Sequence, residues 1–265
     1  MKFSCQNAVW LLAVICSSGL AGPVTQGSVP DDRQIYVVQI WQIPDEENRA
    51  GVLNFLNDHH LPALARQTVN RVGVFTVLDD ETNHDVVVIT PYQSLSQFEQ
   101  VSRALSDDGD YQRAVRDMSQ RELADPLFSR VDTRLLRAFA GMPQLELPVP
   151  ADEHPDRVFE LRLYESHTYD HAQRKVRMFN DGEIQLMKDV ELGPVLFGES
   201  LSGPDLPNLI YLLSAPSAAA HQQHWQGFLN DPRWPEMRDL PEYKDTVSRI
   251  RNWMLEPTAF SGFRP

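Results

Sequence analysis

Three polar side chains alternate along one short apolar stretch, Glu160, Arg162 and Tyr164 in Val158-Phe159-Glu160-Leu161-Arg162-Leu163-Tyr164. Successive side chains of an extended strand point to opposite faces. A carboxylate, a guanidinium and a phenol therefore share one face, and Phe159, Leu161 and Leu163 share the other. A guanidinium held there could orient an anionic or carbonyl group. Either ion buried alone would be strongly destabilising, so the two are expected to pair with each other or with neighbours. Such a pair serves equally as a structural ion pair, because ion-pair networks perturb titration without catalysing anything. His221 and His224 are the next candidates. A histidine on the core side of a helix is either hydrogen-bonded packing or a group that titrates near neutral pH as acid, base or ligand. A haem, which needs one axial histidine, would draw on the same two.

The remaining residues carry weaker signals. His167 and His171 have a spacing that can share a metal, but no cysteine or third ligand accompanies them. His59 and His60 are adjacent and point different ways. No metal or cofactor is expected. Trp225, Phe228, Trp234 and Trp253 read as core and corner packing, where aromatic rings bury the most area. Asp231, before Pro232, reads as a turn cap. The sequence contains no phosphate-binding loop, no GxGxxG after a strand, no GxSxG and no metalloprotease motif. No Ser/His/Asp spacing marks a triad.

Charge narrows the partners. The formal net charge is −13 over 265 residues, which disfavours sequence-independent nucleic-acid binding and docking on anionic membrane. Lys2, the apolar run Ala8 to Ile15, and Gly19 with Ala21 have the form of a secretory leader cleaved near Ala21. The run is too short for a transmembrane span, which takes about 20 residues. Lipid attachment at Cys16 is the rival reading, opposed by the bulk of Ile15. Both cysteines, Cys5 and Cys16, fall in this leader. An exported chain cleaved there would hold no disulfide, thiolate metal site or cysteine nucleophile.

The elements that must position the polar face come in two sets. Ile35-Tyr36-Val37-Val38-Gln39-Ile40-Trp41 precedes the stretch at 158–164 by 123 positions, and the same offset pairs Leu56-Asn57-Asp58 with Phe179-Asn180-Asp181 and Val86–Thr90 with Leu209–Leu213. Each set reads βαββαβ. In the first, a strand at 35–43 leads through Pro44-Asp45-Glu46-Glu47, with proline in the first turn, into a helix that Pro62 should kink or end. Strands at 71–78 and 85–90 follow across a turn at 79–84. Ser94 with Gln97 forms a capping-box signature for a helix burying Leu95, Phe98, Val101 and Leu105. A short helix at 111–123 and a strand at 131–139 complete the set. The second has a strand at 157–165, a helix at 169–190, strands at 194–201 and 207–214, a helix at 217–230, a short helix and a strand near 250–260. The Pro-rich segment 141–156 reads as a semi-rigid connector. The expected organisation is a leader at 1–21, a first repeat at 33–140, the linker, and a second domain at 157–262.

Two such units imply an α+β fold of two tandem ferredoxin-like repeats. Central strands such as Val86–Thr90 and Leu209–Leu213 are apolar on both faces, so the two bare sheets should pack on each other within one chain. Phe159, Leu161 and Leu163 are then expected under the helices, and Glu160, Arg162 and Tyr164 inside the enclosed space. Aligned by the offset, His221 and His224 stand where Phe98 and Val101 stand.

The second set resembles the NIPSNAP family. The resemblance rests on Phe159-Glu160-Leu161-Arg162-Leu163-Tyr164, on Trp225-x-x-Phe228 followed by Asn230-Asp231-Pro232-Arg233-Trp234, and on Leu255-Glu256-Pro257 with Phe260-Ser261. It spans about 157–262. The first set shares it only through the offset, with Val37, Gln39 and Tyr111 replacing Glu160, Arg162 and Trp234. The family implies a dimeric α/β-barrel, here closed within one chain with further oligomers left open, and brings no agreed reaction. The expected role is an exported module that binds a small molecule or a partner, with a candidate pocket of Glu160, Arg162, Tyr164, His221 and His224. The alternative is a cofactor-independent enzyme, oxygenase- or isomerase-like, using Arg162 with Glu160, Tyr164 or His221.

Overall fold

The computed structural model describes residues 32–78, 82–118, 120–121, 126–147 and 154–264. The expected leader with both cysteines lies outside them, as do parts of the turn at 79–84 and of the linker. Strands β1 (Ile35–Gln42), β2 (Gly73–Val77), β3 (Val86–Tyr92) and β4 (Arg130–Ala138) come from the first half, and β5 (Val158–Glu165), β6 (Pro194–Ser202), β7 (Asn208–Ala215) and β8 (Arg249–Pro257) from the second. They close into an antiparallel barrel in the order β1-β3-β2-β8-β5-β7-β6-β4. Read by halves this is β4-β1-β3-β2 and β8-β5-β7-β6. The halves therefore join edge to edge as well as face to face, through β2 with β8 and β4 with β6. Closure removes exposed strand edges. Among the described residues no helix is long and apolar enough to cross a membrane.

The helices repeat the offset seen in the strands. Helix α1 (Glu46–Phe55) passes through a π-helical segment, Leu56–His60, into α2 (Leu61–Arg66); α5 (Tyr169–Met178) passes through Phe179–Glu183 into α6 (Ile184–Asp189). Helices α3 (Leu95–Asp107) and α7 (Ala218–Asn230) follow β3 and β7, with α4 (Gly109–Met118) and α8 (Arg233–Arg238) after them. Strand pairing keeps the same step: Val38 faces Ile89, and Leu161 faces Leu212. The caps are local. Asp45, Ser94, Thr168 and Ser217 each accept a bond from a backbone N–H three residues on, as N-caps do.

Three local expectations about the helices differ from the structure. Pro44 stands before the cap Asp45, not in the first turn of the helix. Pro62 does not end its helix; the wide turn just before it, where the Leu61 N–H reaches back to Leu56, accommodates a residue with no N–H to donate. Leu95 is 42% exposed, because the first residue of α3 overhangs the sheet while Phe98, Val101 and Leu105 pack against the core.

The most consequential correction concerns the faces of β5. Phe159, Leu161 and Leu163 lie in one cluster with Tyr36, Val38, Phe75, Ile89, Leu136, Ile210 and Leu255, drawn from both halves. That cluster is the barrel interior. Two further clusters lie outside it, one under the helices of each half; Val37 and Trp41 belong to the first and Tyr164 and Tyr211 to the second. Glu160, Arg162 and Tyr164 thus face the helices, not the barrel. An eight-stranded barrel has room only for its own side chains, and the mostly apolar residues filling it around β5 give a carboxylate no set of donors. Helix side chains do. Fully burying Phe159, Leu161 and Leu163 stabilises the fold by roughly 1.5–3 kcal/mol each.

Two features trim the interior. Leu145, from the segment expected as a connector, packs into it and Glu146 N–H bonds Val195 O at 2.9 Å. At the end where β5 finishes, the inward alternation turns polar: fully buried Arg134 meets Asp205 at 3.1 Å, and Arg251 bridges Asp205 and Glu165.

Candidate functional site

Glu160 is the hub of the polar layer between β5 and α7. Its Oε1 accepts from Arg162 Nη1 at 2.5 Å and from Asn252 Nδ2 at 3.2 Å; its Oε2 accepts from Trp225 Nε1 at 2.9 Å and contacts His221 Nε2 at 2.9 Å. Burial alone would push the carboxyl up, but the bonds from His221, Arg162 and Trp225 outweigh it and hold the pKa below the usual glutamate value. A carboxylate with four neighbours on its two oxygens is saturated.

Arg162 is not saturated. Its Nε and Nη2 donate to Tyr164 Oη at 3.3 and 3.2 Å and its Nη1 to Glu160. Of the five guanidinium N–H groups, one on each Nη is left over. The indole of Trp225 lies over the guanidinium, 4.7 Å from carbon to ring centroid, a favourable cation–π distance. Behind Arg162, Tyr211 Oη donates to Tyr164 Oη at 2.8 Å. Burial raises the Tyr211 phenol well above its ordinary range, and Tyr164 adds to this. Deeper still, Lys175 and Glu183 form an ion pair at 2.7 Å with almost no exposure, the ammonium 4.4 Å from the Phe179 ring centroid. Burial lifts the Glu183 carboxyl and Lys175 pulls it back only in part.

A cleft of about 540 Å³ between α7 and β8 has Glu160 and Arg162 on its floor and Ala218, His221, Trp225, Leu229 and Met254 among its walls. Of the five expected pocket residues, Glu160, Arg162 and His221 line it. Tyr164 sits behind Arg162. His224 lies elsewhere, 3.9 Å from Glu191. His221 offers little to a ligand: Nε2 faces Glu160 and Trp225, and Nδ1 is buried without a partner. His171 bonds Thr168 at the cap of α5, and among the described residues no group of three or more His, Cys, Asp or Glu could hold a metal. Asp231 caps its turn through Arg233 N–H and is held down to about 2, chiefly by the Arg233 side chain.

Among the described residues the first half has no such layer. Val37, Gln39, Val52, Val88 and Phe98 occupy the positions of Glu160, Arg162, Lys175, Tyr211 and His221. Here His60 is bonded to Tyr111 Oη at 2.9 Å and pushed down to about 4 by burial. Lys175, Glu183, Tyr211 and Asn252 were absent from the expected site, and Trp225 was expected as packing alone. The 123-residue offset contains the missing signal, since Lys175 stands where Val52 packs.

An outward helical layer around a barrel closed within one chain is the fold of dimeric α/β-barrel proteins. Residues 159–262 match the profile of the NIPSNAP family. A protein provisionally assigned as a monooxygenase from Lactobacillus acidophilus NCFM is similar in structure, with 12% identity, 85% of this chain and 94% of that chain covered, and a TM-score of 0.55. An anthrone oxidase-like protein is similar at 11% identity, with 86% and 92% covered and a TM-score of 0.54. A NIPSNAP-like domain protein from Burkholderia xenovorans matches 41% of this chain and 90% of its own at 19% identity, with a TM-score of 0.38. No curated protein matches the chain.

Proposed function

We propose that the protein reversibly binds a small, apolar, uncharged molecule carrying a carbonyl, in the cleft between α7 and β8, and that it does not turn it over. The observation that carries this reading is Arg162, a guanidinium with two N–H groups to spare on the floor of a cleft walled by Ala218, Trp225, Leu229 and Met254. A carbonyl accepting from it gains about 1.5–3 kcal/mol, as hydrogen bonds to charged groups do. A carboxylate would be attracted by Arg162 by about 4 kcal/mol at about 4 Å and repelled by Glu160 by about 3 kcal/mol at about 6 Å, at an effective dielectric of about 20; the two nearly cancel, so the several kcal/mol that an ion loses in desolvation decides. The neutral acceptor wins.

The oxygenase- or isomerase-like alternative has the His221–Glu160 contact in its favour and the names of two structural neighbours beside it. Neither supplies a base: Nε2 of His221 is engaged and Nδ1 is buried. The reading also takes the halves as two copies of one unit, of which the second kept or acquired a site. It takes the chain as exported, supported by the leader-like run before residue 22.

The test is a titration of the full chain with 2-undecanone and with decanoate, followed by the Trp225 indole N–H resonance and by thermal unfolding. The ketone should shift the resonance and raise Tm, decanoate should bind about tenfold more weakly, a difference of about 1.4 kcal/mol, and Ala218→Trp should abolish both by filling the cleft. No response to either probe, or an unchanged response in Ala218→Trp, refutes the proposal.

A further inference from the structure

A second cleft, of about 380 Å³, lies in the first half between the loop after α2, the ends of β1 and β3, and the segment after β4. Its polar lining includes Gln34, Asn70, Arg71, Gln93, Gln97 and Gln144, and none of its lining residues is acidic, in a chain with 37 aspartates and glutamates. Two of the amides are held in place. Gln34 is 6% exposed, and its Oε1 accepts from Leu145 N–H at 2.9 Å while its own backbone N–H donates to Pro143 O. Its side-chain NH2 makes no hydrogen bond among the described residues, and the residue lines the cleft. Gln97 Oε1 accepts from Gln93 N–H at 2.6 Å at the start of α3, which leaves its NH2 free as well. Arg71 is exposed and forms no ion pair among the described residues.

We infer that this cleft binds a polyhydroxylated carboxylate of about monosaccharide size, a sugar acid. Side-chain amides both donate and accept, and hydroxyl groups do the same. Several amides converging on one space therefore match several hydroxyls, whereas a purely apolar or purely anionic ligand would leave most of them unpaired. The volume suits a small ligand. Arg71, with no competing carboxylate around the cleft, supplies the charge-assisted bond that distinguishes an acid from a neutral sugar. Pre-fixing of Gln34 and Gln97 means that ligand binding orders fewer side chains.

The experiment is a nuclear magnetic resonance titration of the full, uniformly ¹⁵N-labelled chain with D-glucuronate, D-glucose and acetate. Glucuronate should shift the side-chain amide signals of Gln34 and Gln97 and the backbone signals of Asn70 and Arg71. Glucose should shift the Gln34 and Gln97 signals with roughly tenfold weaker affinity, and acetate should shift neither. Arg71→Gln, an exposed substitution, should bring glucuronate to the glucose level. Silence of Gln34 and Gln97 with glucuronate overturns the inference, as does acetate matching glucuronate or Arg71→Gln leaving glucuronate unchanged. Ala218→Trp, which blocks the α7–β8 cleft, should leave all these responses intact, so the two sites are tested separately.

Discussion

Lys175→Met should lower the unfolding free energy by about 3–5 kcal/mol, the cost of leaving one ion of a buried pair uncompensated. Glu183 lies 2.7 Å from Lys175 and is 2% exposed. Water cannot replace the lost ammonium, and Phe179 and Met178, which also touch the Lys175 head, supply no charge. The pH dependence is set by Glu183. Its folded pKa is raised by burial, against the pull of Lys175, so the folded state binds the proton more tightly than the unfolded chain. Its favourable contribution is present below the ordinary glutamate pKa and is lost as pH rises through the folded value. Removing Lys175 raises that value further. Urea unfolding should therefore show the largest deficit near neutral pH and a narrower one on acidification. Lys175→Met with Glu183→Leu should restore most of the loss, because an apolar pair resembles the Val52 side of the first half. A deficit below about 1 kcal/mol, or one that widens in acid, would mean the pair is not desolvated as described.

Glu160→Ala is the second large effect, again about 3–5 kcal/mol. The substitution leaves Arg162 without its anion and strips acceptors from Trp225 and Asn252. Glu160→Gln should cost less, about 2 kcal/mol, since an amide keeps the shape and one acceptor while losing the charge. Here the sign runs the other way. The folded pKa of Glu160 is lowered, so its contribution is present above the ordinary glutamate pKa and lost as pH falls through the folded value. Acid should close the gap between wild type and Glu160→Ala by weakening the wild type, whereas for Lys175→Met acid closes it by strengthening the variant. Absolute unfolding curves separate the two. If Glu160→Ala unfolds like the wild type at neutral pH, the hub is solvated and the description of the layer is wrong.

These two residues also show how far the sequence could be read. Glu160 was legible because it interrupts an apolar stretch, and Arg162 two residues on marked the shared face. Lys175 and Glu183 were not, because a lysine and a glutamate within a helix look like a solvated surface until the neighbouring strands are placed. Trp225 read as packing because its ring does pack; the bond from its N–H to Glu160 depends on α7 crossing β5 at one particular height. His224 entered the candidate pocket because it stands three residues after His221. On α7 that places it on the neighbouring turn, where it meets Glu191 and not the cleft. Arg134 went unnoticed for the converse reason: on an edge-like strand with polar neighbours, nothing in Val131-Asp132-Thr133-Arg134 signals that its side chain turns inward.

The amino-acid sequence alone determined the elements, their order in two matching sets, and the fact that one strand face of the second set is charged. These follow from short-range rules: capping residues, turn residues, and side-chain periods of two and 3.6 that operate within a dozen residues. The tertiary structure alone decided which face of β5 looks into the barrel and which under the helices, and which helix residues reach Glu160. A period of two says that Glu160 and Leu161 point opposite ways but leaves the choice between inside and outside open. Closure of eight strands makes that choice, because around Leu161 the enclosed space is packed with apolar side chains, while α5 and α7 bring Lys175, His221 and Trp225 to the other side.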